Sequence, residues 1–97
     1  MPEEILKIKE EDRKYQNLPE KIRDYFADET TINRLIVLEK KYQLSFDQIN
    51  RLIRILRRIL IREIKLADLP QALEKELILD NQTAEVFARE LIEQIFK

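Results

Sequence analysis

Residues 45–66, SFDQINRLIRILRRILIREIKL, constrain this chain more than any other stretch, because they read as one helix with two opposed faces. Ser45 and Gln48 stand at capping-box spacing, where each side chain can bond the other residue's backbone N–H. At about 100° per residue, Ile49, Leu52, Ile53, Leu56, Ile59, Leu60 and Ile64 fall on one apolar arc. Arg51, Arg54, Arg58, Arg62 and Lys65 gather almost opposite it, in a stripe roughly 80° wide. One side is patterned for burial and the other for positive charge. Apolar side chains fill 11 of the 22 positions, more than one buried face needs. The helix is therefore expected at the centre of the fold or at a subunit interface.

The remaining pattern is also helical. Residues 3–15 place Ile5, Leu6, Ile8 and Tyr15 around a polar KEEDRK run, so residues 1–17 read as an arm or a helix preceding a domain over 18–97. Leu18-Pro19 opens a short helix with Ile22, Tyr25 and Phe26 on one face, since proline is tolerated in a first helical turn. Asp28 or Thr30 starts a third helix carrying Ile32, Leu35, Ile36, Leu38 and Tyr42. Leu69-Pro70 opens a second short helix with Leu73 and Leu77. Asp80 caps a last one that buries Ala84, Phe87, Ala88, Leu91 and Ile95. The two Leu-Pro segments share a plan of short helix, Asp, Thr and longer helix, which chance recurrence of common helix starts explains as well as an internal repeat does. No window alternates as a strand would. The fold class is all-α, a single-domain bundle of five to six helices around residues 45–66. Its core should include Ile22, Phe26, Leu35, Leu52, Leu56, Ile59, Leu60, Leu73, Phe87 and Leu91. Ile55, Ile61, Val86 and Phe96 should point away from it. Glu63 is the odd residue of the long helix, since it falls inside the apolar arc, where an unpaired carboxylate is costly. Either the helix end emerges into solvent there or an arginine meets it.

Missing residue types narrow the chemistry. Of 97 residues none is His, Cys or Gly. Histidine- and cysteine-based nucleophilic triads are thereby excluded, along with thiolate or imidazole metal sites and glycine-rich phosphate loops. Paired carboxylates such as Glu10/Glu11 and Glu74/Glu76 lie on polar faces rather than at a patterned site. The expectation is a protein that is not an enzyme, with no cofactor, no metal and no small-molecule substrate. The charged start and the lack of an 18-residue apolar run point to a cytoplasmic protein without a membrane partner.

Charge is strongly partitioned although the net is −1. Residues 1–30 carry 6 Lys/Arg against 9 Asp/Glu, residues 31–66 carry 9 against 3, and residues 67–97 carry 3 against 7. The basic middle is either neutralised by its own acidic flanks or displayed to an acidic partner. Arg51, Arg54, Arg58, Arg62 and Lys65, with the apolar Ile61 beside them, are the candidate partner-binding residues. They suit a non-catalytic protein-interaction module, an adaptor or assembly domain, whose partner is another protein or a second copy in a homodimer. The alternative is nucleic-acid binding, with the arginine stripe tracking an RNA or DNA backbone. The near-neutral chain and the lack of stacking aromatics in the stripe weigh against it.

Overall fold

Side-chain capping sets three of the six helix starts among the described residues. A computed structural model describes residues 2–96, which form α1 (Pro2–Gln16), α2 (Glu20–Ala27), α3 (Glu29–Lys41), α4 (Phe46–Leu60), α5 (Leu69–Leu77) and α6 (Asn81–Gln94). A 3-10 turn at Leu66–Asp68 leads into α5. Ser45 and Gln48 close the capping box expected of them, at 3.1 and 2.8 Å. Asp28 accepts from the Thr30 N–H at 3.0 Å, and Asp80 from the Thr83 N–H at 2.7 Å. Each satisfies a backbone donor that the first helical turn leaves orphaned. Among the described residues there is no strand, and the all-α bundle is a single small domain.

Helix ends are solved without glycine. Gln43, Arg62 and Ile78 take positive φ angles of 52°, 64° and 55°. After α4, the Arg62 N–H donates to the Ile59 carbonyl at 3.0 Å and the Glu63 N–H to the Arg58 carbonyl at 2.8 Å. These are the two bonds of a Schellman motif, and they end the helix. Here the sequence reading needs correction: the helix expected over 45–66 stops at Leu60 and, at 15 residues, only equals α1 in length. Apolar periodicity continues through Ile64, but a left-handed residue at 62 turns the chain away from the helix axis. Glu63 consequently leaves the apolar arc. Its carboxylate lies 3.3 Å from Lys14 Nζ and 3.5 Å from Arg58 Nε.

The core lies where α4, α5 and α6 meet, with Leu38 of α3 against them. Leu52, Ile55 and Leu56 pack with Leu69, Leu73 and Leu77, and with Ala84, Phe87, Ala88, Leu91 and Ile95. Phe87 is fully buried, and the Tyr42 ring stacks on it at 4.3 Å between centroids. The Tyr42 hydroxyl donates to Glu90 Oε1 at 2.9 Å, an oxygen that also accepts from Lys41 Nζ at 2.7 Å. Burial, then the neighbouring carboxylate, push the Tyr42 phenol up to about 12. On the far side of α6, the Tyr25 hydroxyl donates to the Ile95 carbonyl at 2.7 Å. That bond and the Phe26–Phe96 ring contact hold α2, which buries no residue of its own.

Five of the ten expected core residues are buried, namely Leu52, Leu56, Leu73, Phe87 and Leu91. Phe26, Leu35 and Ile59 are partly buried against them. Ile22 instead stays exposed, and Leu60 is half-buried. Conversely Ile55, expected outside, is 2% exposed, and Phe96 packs on the core. One cause accounts for the α4 differences. α5 packs on the side carrying Leu52, Ile55 and Leu56, so the buried direction is rotated by roughly 60° from the centre of the apolar arc. Ile49, Ile53 and Leu60 are left on the other flank of the arc, turned away from the core.

Candidate protein-interaction site

That left-over flank of α4 faces α3 across an open apolar groove of about 380 Å³. α3 supplies Ile32, Leu35, Ile36 and Glu39, and α4 supplies Ile49, Ile53, Leu56, Arg57 and Leu60. Tyr15 of α1 and Phe26 of α2 complete the lining. The short connection between α3 and α4 puts Glu39 and Ile49 at one end of the groove. Ile32, Arg57 and Leu60 lie at the other, about 10–16 Å away by helical rise. Ile32, Ile36 and Ile53 are 42%, 38% and 38% exposed, a contiguous apolar surface left uncovered. Scattered single apolar residues are ordinary, whereas these three line one concavity.

Two charged groups bracket the groove. Burial raises the Glu39 carboxyl above its ordinary value. No ion pair to it forms among the described residues. Arg57 lies over the Tyr15 ring at 4.9 Å and pairs with Asp12 at 3.2 Å. One end of the groove therefore holds a desolvated anion, and the other a cation already stacked and paired.

The residues expected to bind a partner occupy a different face. Arg51 bonds Asp47 at 2.8 Å and lies 3.6 Å from Glu76. Arg54 grips Glu11 with two hydrogen bonds of 3.0 Å, Nε to Oε1 and Nη2 to Oε2. Glu11 is 5% exposed. The Arg54 hydrogen bonds hold its carboxyl below the ordinary value against the opposing effect of burial. Arg58 Nε is buried 3.5 Å from Glu63 Oε2, out of line for a hydrogen bond. Arg51, Arg54 and Arg58 thus share one face, with a polar depression between α4 and α5. Because α4 ends at Leu60, Arg62 and Lys65 are not on that stripe but in the following turn, both exposed. Ile61 is the half-buried C-cap. Carboxylates for the stripe come from four places: Asp47 of α4 itself, Glu11 of α1, Glu76 of α5 and Glu63 of the turn.

No protein-family model matches this chain, and neither a curated protein nor a solved structure matches it. Function must rest on the geometry.

Sequence reasoning missed the groove as a site: Tyr15, Ile32, Ile36 and Ile53 were read only as apolar residues of helix patterns, and Glu39 and Arg57 were not singled out. The available signal was the surplus of apolar residues on α3, where Ile32, Leu35, Ile36, Val37 and Leu38 exceed what one buried stripe needs. Among the described residues no three Asp or Glu side chains converge as metal ligands would. No described helix is long and apolar enough to cross a membrane.

Proposed function

We propose that this chain is a non-catalytic helical interaction module whose partner lays an apolar segment into the α3–α4 groove. The observation that carries this reading is the exposed isoleucine wall of Ile32, Ile36 and Ile53 around a preformed concavity. Its volume is at the small end of the roughly 300–1,000 Å³ range for small-molecule pockets, but such pockets orient their ligands with several polar groups. Here Glu39, Arg57 and the Tyr15 hydroxyl are the polar groups available, at the ends and not along the walls. A groove about two helical turns long with apolar walls suits a helical segment laid along it. Of the α4 arginines Arg57 borders this surface, while Arg51, Arg54 and Arg58 lie on another face and are engaged within the fold, which weakens support for the nucleic-acid alternative.

Two sets of variants test the reading against that alternative. Ile36→Glu and Ile53→Glu place a charge in the groove at positions already more than a third exposed, so the fold should survive by circular dichroism. Arg51→Glu and Arg58→Glu alter the basic face. Proteins retained by the wild-type chain should be lost with the groove variants and kept with the arginine variants. The reverse pattern would overturn the proposal. So would salt-sensitive binding of RNA or duplex DNA that disappears only with the arginine variants.

A further inference from the structure

α1 stands out as a helix with a second unpartnered face. Glu11, Asp12, Lys14 and Tyr15 hold it to the body, while Ile5 and Leu6 are 53% and 66% exposed. At about 100° per residue, Ile5, Leu6, Lys9 and Arg13 fall in one arc about 100° wide, apolar at its start and basic at its end; Leu6, Lys9 and Arg13 turn away from α4, and Ile5 lies at the edge beside Asp12. The exposed Arg13 reaches Glu10 at 3.9 Å, a long surface contact worth little. The stripe complements the groove: its apolar start suits Ile32 and Leu60, which lie beside Arg57, and its basic end suits Glu39. Their lengths are comparable: Ile5 to Arg13 spans about 12 Å, and the groove about 10–16 Å.

Direction is compatible with two-fold symmetry. α1 runs parallel to α4, since Ile8 sits by Asn50 and Ile53, Glu11 meets Arg54, Asp12 meets Arg57 and Lys14 meets Glu63. A helix entering the groove with its apolar start by Leu60 and its basic end by Glu39 must run antiparallel to α4, and therefore antiparallel to the resident α1. Two copies of α1 related by a two-fold axis perpendicular to them are antiparallel. A two-fold axis perpendicular to α1 gives that relation, with the groove of each copy meeting α1 of the other. The groove also borders α1 directly through Tyr15 and Arg57.

We propose that the groove's occupant is α1 of a second copy of this chain, in a reciprocal two-fold dimer where each α1 fills the other's groove. Ile5 and Leu6 of the partner subunit lie against Ile32 and Leu60, and Arg13 of the partner subunit meets Glu39. This rests on reading the groove as a docking surface, and it names the partner.

Sedimentation equilibrium of the full chain, from about 1 µM to about 1 mM, should show a monomer–dimer equilibrium. Glu39→Arg and Arg13→Glu should each weaken it by about tenfold or more, since the symmetric contact places two like-charge pairs per dimer. An equimolar mixture of the two variants should recover wild-type affinity. In the mixed dimer one site is reversed and the other native, and both are attractive. Ile5→Asp, at a residue exposed in the monomer, should abolish the dimer while leaving the circular dichroism spectrum unchanged. A strict monomer throughout, or a dimer indifferent to Arg13→Glu and Ile5→Asp, overturns the self-docking. A dimer lost with Ile53→Glu but kept with both α1 variants overturns the α1 assignment while leaving the groove reading intact. Failure of the groove reading itself would be seen separately, as retained proteins unaffected by groove variants.

Discussion

Replacing Arg54 with alanine should undock α1 without unfolding the rest of the domain. Arg54 makes two 3.0 Å hydrogen bonds to a carboxylate that is 5% exposed, so the substitution leaves Glu11 buried and unpaired. Losing a partner of a buried charge costs about 3–5 kcal/mol, and a charge-assisted hydrogen bond contributes about 1.5–3. The Arg54 side chain is 34% exposed, so a cost of about 2–3 kcal/mol is the fitting figure. That cost has a ceiling. α1 otherwise holds to α4 by the Tyr15–Arg57 stack and by two ion pairs with exposed partners, Asp12–Arg57 and Lys14–Glu63. Once the penalty exceeds this docking energy, the helix peels off and Glu11 returns to water. Amide hydrogen exchange should report α1 protection reduced about thirty- to hundredfold, with α4, α5 and α6 little changed. The pH dependence should change sign as well. In the wild type the Glu11 pKa is lower folded than unfolded, so its contribution is present above about 4.5 and lost as pH falls through the folded value. In the variant burial without a partner raises that pKa, so α1 docks better in acid than at neutral pH. Equal loss of protection across all six helices, or unchanged protection in α1, would refute the reasoning.

Three further outcomes follow from the same geometry. Ile78→Gly should raise thermal stability by about 1 kcal/mol, because a β-branched residue with φ 55° is strained and, at 88% exposed, packs on little; a destabilised variant would contradict this. Glu39→Gln should stabilise the dilute monomer at pH 7 and flatten its pH dependence. The wild-type carboxyl pKa is raised by burial, so stability is greatest below its ordinary value near 4.5 and declines as pH rises through the folded value; denaturant titrations at pH 4 and 7 check it. Phe87→Ala should cost about 3–5 kcal/mol, a large share of the roughly 5–15 that holds a domain folded; a midpoint shift worth under about 1 kcal/mol would remove Phe87 from the centre of the core.

Short-range chemistry made much of the fold legible. Ser45 with Gln48, Asp28, Asp80 and the Leu-Pro starts are read from residues within a few positions of one another, and each begins a helix or the turn leading into it. The end of α4 was not legible, because a chain lacking glycine gives no warning that Arg62 will take the left-handed conformation. Periodicity drew the apolar arc of α4 correctly but not which part of it would be buried. That depends on where α5 docks, through residues 13 to 25 positions further along the sequence, and its choice buries Ile55 and uncovers Ile53. The arginine stripe was visible, but its main carboxylate comes from 43 residues upstream.

The two surpluses on α4 therefore end differently, and the difference bears on function. Its basic surplus is largely used by the fold: Arg51, Arg54, Arg57 and Arg58 each lie within 3.6 Å of a carboxylate. A phosphate or acidic surface competing for them must first break contacts, and at Arg54 it must leave Glu11 buried and unpaired. The apolar surplus carries no such obligation. Covering Ile32, Ile36 and Ile53 removes hydrocarbon from water at about 25 cal/mol per Å² and breaks no polar contact in the monomer. Glu39, desolvated by its neighbours, has already lost part of the hydration that a cation would otherwise have to displace. Binding through the groove starts from a surface that gains on being covered, whereas binding through the stripe starts from one that must be taken apart.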